Sequence, residues 1–326
     1  PASAPNRRPA PSPRLAKVIG YFGPAGTFTH QALLTVSGAE ATPYTTVAGV
    51  LDAVRSGEVE AGLVPIENSV EGGVTATLDN LALGGNPLVI VREVLLPVSF
   101  VLAVRPGVEL ADVKRIITHP HAHAQTRDWV RLTLPDAQVT EGGSTAAAAA
   151  EVADPASRYD GAICARVAAD LYGLDCVATD VADNPDAVTR FVLVRKPGAL
   201  PEPTGADKTT LVAYMYADHS GALLEILEQF AMRGVNLTRI ESRPTKKMFG
   251  EYCFSIDAEG HIGEPRLRGT LKGLHRICRE VTFLGSYPRA DQVRPKIARG
   301  FTADEYEAAE VWMDGLLGRT SHERSR

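Results

Sequence analysis

VREVLLPVSFVLAV, from Val91 to Val104, is nearly all apolar and too long for one strand of ordinary length. The segment from Asp175 to Val194 is likewise long for a simple connection. Such segments suit a chain that crosses from one lobe to another and back. They place lobe one at about 17–95 plus 185–196 and lobe two at about 96–184, with a ligand cleft between them.

Outward from these crossings, short apolar runs alternate with helical patterns from Lys17 to about Lys196. VIGYFG, a helix from Thr29, VEAGLVPI and a helix near Thr77 lead into the first crossing. The alternation predicts α/β architecture with a mainly parallel sheet. KPGALPEPTGADK (196–208) reads as a domain boundary because of its prolines and glycines, with 197–208 as the linker itself. Beyond it, TTLVAYMY (209–216), GALLEILEQFAMRG (221–234), LTRIES (237–242), EYCFSIDAEG (251–260), RLRGTLKGLHRICRE (266–280) and VTFLGSY (281–287) predict a compact βαββαβ unit over 209–288. That order is ferredoxin-like. In the tail, 289–326, Thr302 suits an N-cap before a helix whose Tyr306, Ala309, Met313 and Leu316 share a face, for packing on the body or on another subunit. Residues 1–16, studded with proline and without periodicity, read as a flexible extension.

The chain has 326 residues, 44% of them apolar, which suffices for one large core or several smaller ones. A net charge of −5 with interspersed signs offers no general attraction to a polyanion, so nucleic acid is not an expected partner. Cys164, Cys176, Cys253 and Cys278 lie far apart and form no metal or redox motif. No apolar run is long enough for a membrane helix, and the expectation is a cytoplasmic protein.

Several stretches offer groups that hold anions. Gly23-Pro24-Ala25-Gly26-Thr27-Phe28 follows a strand and opens a helix, so its amides and the Thr27 hydroxyl suit a carboxylate; it is also an ordinary strand-to-helix turn. Asn68 and Ser69, followed by Glu71-Gly72-Gly73, stand at the carboxyl end of a strand, where open α/β sheets bind ligands, and equally read as a capped turn. Ser144-Thr145 begins an alanine-rich helix, either as an anion site or as a plain cap. The loop from Asp183 enters a strand at Thr189-Arg190-Phe191, a hydroxyl beside a guanidinium suited to a carboxylate. His119, His121 and His123 would share one face of a strand as metal ligands, but Pro120 argues against that strand.

Taken in order, these residues resemble the prephenate dehydratase family, from about Lys17 to Ala290. The family's GPxGTF opening stands at 23–28, its VPIENS at Val64 to Ser69, its HP…Q segment at His119 to Gln125, its TRF signature at Thr189 to Phe191, and its LTRIESRP signature at Leu237 to Pro244. The resemblance implies two α/β lobes like a periplasmic binding protein, then a ferredoxin-like ACT domain. It implies conversion of prephenate to phenylpyruvate in phenylalanine biosynthesis, without metal or cofactor. Thr189 carries over as the residue essential for dehydration, with Asn68, Ser69, Gln125 and Arg190 as catalytic companions. Thr27, Thr118, Ser144, Thr145 and Phe191 are expected at the substrate, and Arg190 at its pyruvyl carboxylate.

For the effector phenylalanine, the resemblance implies Gly221, Ala222 and Leu223 together with Glu241, Ser242, Arg243 and Pro244. Asn236 and Leu237 would close the site from a neighbouring subunit of a homodimer or homotetramer. Ser220 stands where the family usually has proline, and His121 where it often has glutamine. An arogenate dehydratase, a non-catalytic small-anion sensor and a histidine-rich metal hydrolase are the alternative readings.

Overall fold

In the computed structural model, which describes residues 18–318 apart from 37, 39, 84–85, 217–218 and 247–250, Val91–Val104 contributes to two strands in two different sheets. The extension at 1–16 lies outside the described residues. Val18–Phe22 (β1), Phe28–Val36 (α1), Glu40–Tyr44 (β2), Val47–Ser56 (α2), Ala61–Asn68 (β3), Gly72–Gly73 (β4), Thr75–Leu83 (α3) and Val89–Pro97 (β5) form most of the first lobe. The chain then enters the second lobe at Val101–Val104 (β6). There it builds Arg115–Thr118 (β7), Pro120–Ala124 (α4), Arg127–Thr133 (α5), Gln138–Glu141 (β8), Thr145–Ala153 (α6), Gly161–Cys164 (β9), Arg166–Leu171 (α7) and Asp175–Thr179 (β10). It returns to the first sheet as Val188–Arg195 (β11).

The first sheet runs β2-β1-β3-β11-β5 with β4 beside β3, and the second β10-β6-β9-β7-β8. The mainly parallel sheet expected from the alternation is corrected here. β1 pairs in parallel with β2 and β3, but β11 is antiparallel to both β3 and β5, and β6 is antiparallel to β9 and β10. A strand arriving from the other lobe needs no crossover helix of its own, so it is free to enter against the local direction. Local chemistry sets the helices. In α2, Thr46 accepts from the Gly49 amide at 3.0 Å, Val47, Val50, Leu51 and Val54 make one buried stripe, and Gly57 ends the helix at φ 88°.

The third sheet contains Asp207–Tyr214 (β12), Leu237–Pro244 (β13), Tyr252–Glu259 (β14) and Glu280–Pro288 (β15), with Ala222–Ala231 (α8) and Pro265–Ile277 (α9) between them. Its antiparallel order β13-β14-β12-β15 is that of a ferredoxin-like βαββαβ unit. Every residue of β12 is buried, because the sheet is covered on both faces. Leu211 and Ala213 pack with Ile226, Phe230, Leu267 and Leu274 of α8 and α9. Val212 and Tyr214 join Ile66, Ile90, Val192 and Val194 of the first lobe in one core. Where backbone meets backbone between the two units, a Cβ added to Gly285 would meet the carbonyl oxygen and amide nitrogen of Ile90.

Ala303–Leu316 (α10) begins with the expected Thr302 cap, completed by Glu305 as a capping box. It touches α9, yet none of its residues is buried, and Trp312 and Leu316 stand well exposed.

Candidate active site

The pairing of β3 with β11 brings Asn68 opposite Thr189. The Asn68 side-chain amide donates to Thr189 Oγ1 at 2.9 Å, while its oxygen accepts from the amides of Val70 and Glu71 at 2.8 and 3.2 Å. Those two backbone donors fix which end of the amide faces Thr189, so the Thr189 oxygen accepts and its own proton is left to donate elsewhere. Ser69 locks the same corner: its amide donates to the Val188 carbonyl and its hydroxyl accepts from the Val188 amide, both at 2.9 Å.

Glu71 reaches across to the second lobe. It accepts from Gln125 Nε2 at 3.1 Å and pairs with His121 Nδ1 at 2.5 Å. Thr189, Asn68, Glu71 and Gln125 thus form one connected polar chain spanning both lobes. At its end, Gln125 Oε1 is buried with no hydrogen-bond partner among the described residues. An acceptor so placed is costly unless a ligand donates to it. Sequence reasoning quoted Glu71 without giving it a role.

The two lobes also meet at helix starts. Gly26, at φ 87°, lies so close to α6 and α7 that an added Cβ would sit 3.2 Å from Ala168 Cα and 3.3 Å from Ala146 Cβ. The N-terminus of α1 therefore lies against that of α6, and their free amides favour an anion. Ser144 caps α6, accepting from the Ala147 amide at 2.9 Å, with Thr145 buried behind it. Thr27 donates to the Pro24 carbonyl at 2.9 Å and accepts from the His30 amide at 3.3 Å, so its hydroxyl holds the turn.

Three expected ligand contacts are corrected. Thr118 is fully buried and donates to the Ile163 carbonyl at 2.7 Å, which spends its proton inside the second sheet. Phe191 is 1% exposed, in a core with Ile19, Leu63 and Leu193. Arg190 does not reach for a substrate carboxylate: Nε donates to Glu93 at 2.7 Å, Nη1 to Asp257 at 2.5 Å and Glu67 at 3.3 Å, and Nη2 to Tyr287 Oη at 2.8 Å. Neighbouring residues on a strand point to opposite faces, so with Thr189 toward Asn68, Arg190 turns to the third sheet. Burial alone would lower the pKa of Arg190, but the charge of Asp257, then Tyr287 and Glu93, hold it well above the ordinary value. Asp257, also buried, is held far below the carboxylate range because Arg190 and Arg239 outweigh its desolvation.

The three histidines lie not on a strand but in and before α4. His119 caps that helix, accepting from the His121 amide at 3.3 Å, and His123 pairs with Glu141 at 3.1 Å. Among the described residues no three His, Cys, Asp or Glu side chains gather as metal ligands. In the third sheet, Gly221 starts α8 at φ 91°, Ala222 is buried and Leu223 is partly exposed. Along the edge strand β13, Leu237, Glu241 and Arg243 are half-buried and Ser242 and Pro244 exposed; exposed Asn236 precedes them. Arg243 donates to Asp79 of α3 at 2.8 Å and to Glu241 at 3.2 Å.

A family model for prephenate dehydratase matches residues 19–199. A prephenate dehydratase of Amycolatopsis methanolica is 50% identical over 298 residues, covering 90% of this chain and 96% of its own. The crystal structure of a prephenate dehydratase from Arthrobacter aurescens in complex with L-Phe is 53% identical, with a TM-score of 0.87, over 92% of this chain and 99% of that one. A protein described as GqqA, a novel type of quorum quenching acylase, is 33% identical, with a TM-score of 0.74, over 83% and 97%.

Proposed function

Because this chain belongs to the prephenate dehydratase family, we propose that it converts prephenate to phenylpyruvate with loss of carbon dioxide and water. The observation that carries the reading is the Asn68–Thr189 contact, which leaves the Thr189 proton available to a leaving hydroxyl. Thr189 passes a proton to the 4-hydroxyl as its carbon–oxygen bond breaks and water departs, and solvent replaces that proton. The electrons of the carbon–carboxylate bond enter the ring, which becomes aromatic as carbon dioxide leaves. An aliphatic hydroxyl is too weak an acid to serve as a general acid by itself, so Thr189 acts as a hydrogen-bond donor and relay. The unpartnered Gln125 oxygen accepts from the substrate hydroxyl, and the amides at the starts of α1 and α6 take the carboxylate that remains. The rate enhancement rests on orientation, with aromatisation supplying the driving force.

The reading assigns 17–196 to catalysis, 197–208 to a linker and 209–288 to an ACT domain that binds phenylalanine as feedback inhibitor, in a cytoplasmic homodimer or homotetramer. The L-Phe held by the Arthrobacter relative supports the effector. Phenylpyruvate formation from prephenate, followed by ultraviolet absorbance in alkali after EDTA treatment, tests the reaction. Wild-type turnover lost in Thr189→Ala is expected. Turnover of arogenate but not prephenate would move the assignment to arogenate dehydratase.

A further inference from the structure

Arg190 is a neighbour of Thr189 in sequence, yet its guanidinium lies among groups of the third sheet. Asp257 of β14 is wholly buried and takes three donors besides Arg190 Nη1: Thr210 Oγ1 at 2.7 Å, Arg239 Nε at 3.0 Å and Arg239 Nη2 at 3.4 Å. Glu93 of β5 takes Arg190 Nε, Lys208 Nζ at 2.9 Å and the Ala290 amide at 2.9 Å. With Glu67, the cluster holds three cations and three carboxylates. A buried ion cluster adds little net stability over an apolar core, but it admits few geometries, since a misplaced charge is left unpaired.

We propose that Asp257 is a positioning residue for Thr189, fixing the catalytic strand through Arg190 and coupling it, through Arg239, to the Leu237–Pro244 strand. Arg239 is the joint in this chain. Its Nη1 is buried without a hydrogen-bond partner among the described residues and lies 3.5 Å from Glu241 Oε2. Glu241 is shared with Arg243, at 3.2 Å. An amino acid offers an ammonium to Glu241 and a carboxylate to Arg243, so its arrival changes the charge that faces Arg239. Arg239 then shifts against Asp257, and Arg190 follows. This second limb rests on the phenylalanine reading above; the first does not.

The full-length Asp257→Asn variant tests the first limb. It is expected to lose about tenfold in kcat with KM for prephenate within about twofold, a split that partial unfolding does not produce. A folded variant with wild-type kcat would overturn the proposal. Should Asp257→Asn not fold, Tyr287→Phe removes only the hydroxyl that accepts from Arg190, and about a threefold loss in kcat at constant KM is expected; an unchanged kcat overturns it equally. Arg239→Gln tests the second limb. With its own uninhibited kcat as the reference, it should still bind phenylalanine by calorimetry, while the midpoint of inhibition rises about tenfold. Inhibition at the wild-type midpoint would sink the coupling. A wild-type enzyme that gives no heat with phenylalanine would instead refute the regulatory reading, leaving the kcat comparison to decide positioning.

Discussion

The amide of Asn68 donates to the hydroxyl oxygen of Thr189 at 2.9 Å, joining residues 121 positions apart. Its direction is set by the backbone, because the other end of the same amide accepts from Val70 and Glu71. Asn68→Asp keeps those two bonds but reverses the third: the introduced carboxylate accepts the Thr189 proton and withdraws it from the substrate. We expect kcat to fall on the order of a hundredfold with the thermal midpoint nearly unchanged. A variant as active as wild type would rule out Thr189 as donor.

Gly285, at φ 125°, sits against the Ile90 backbone, where a Cβ has no room. Gly285→Ala should destabilise the protein by about 1–3 kcal/mol through overpacking alone, with backbone strain added. Gly72, at φ 82° with nothing near its Cβ position, is the control: alanine there costs strain only. Urea denaturation of both variants separates close approach from conformation.

The succession of strands and helices along the chain and the βαββαβ unit were legible because period and punctuation repeat within each segment, whereas the antiparallel entry of β11 and β6 was not. The roles of Arg190 and Phe191 were not, although one physical signal was present. Consecutive residues on a strand face opposite ways, so Thr189 and Arg190 cannot both enter the cleft. By the same alternation Phe191 follows Thr189's face, but at the next position along that face it is already in the core with Ile19, Leu63 and Leu193, and no local pattern marks where cleft gives way to core. Asp257 and Tyr287 were invisible as partners of β11 because their contacts join separate segments across a face that apolar patterning marks only as buried. Strand ends and side-chain chemistry marked Asn68 and Thr189 as anion-holding candidates, and resemblance alone gave them catalytic roles.

His30 and His119 both titrate below the ordinary 6.5, each chiefly because burial disfavours the charged ring, with His121 adding to the effect at His119. The unfolded chain therefore binds protons first as pH falls, so stability drops below pH 6.5 and levels off once the folded rings are charged. Thermal midpoints measured across that range should decline toward acid. His119→Asn, which retains a capping acceptor, should flatten the decline; an unaltered slope would contradict the assignment.

Thr302 and Glu305 bond reciprocally at the start of α10, a helix with no buried residue to hold it otherwise. Thr302→Ala should cost about 1 kcal/mol of local helix stability. Faster hydrogen exchange confined to 303–316, with kcat unchanged, is the expected result; a global loss of protection would mean that the helix is integral to the body.

The core shared by Ile66, Val192 and Val194 with Val212, Tyr214, Leu284 and Tyr287 has a consequence for biogenesis. Synthesis runs from the amino end, so the nascent chain finishes β11 at Arg195 while the apolar face of that strand still awaits a cover that is complete only at Pro288. Until then the emerging polypeptide carries a sticky half-product. The third-sheet unit is the closing piece of the polypeptide's own assembly, and a message truncated within it leaves that apolar face bare.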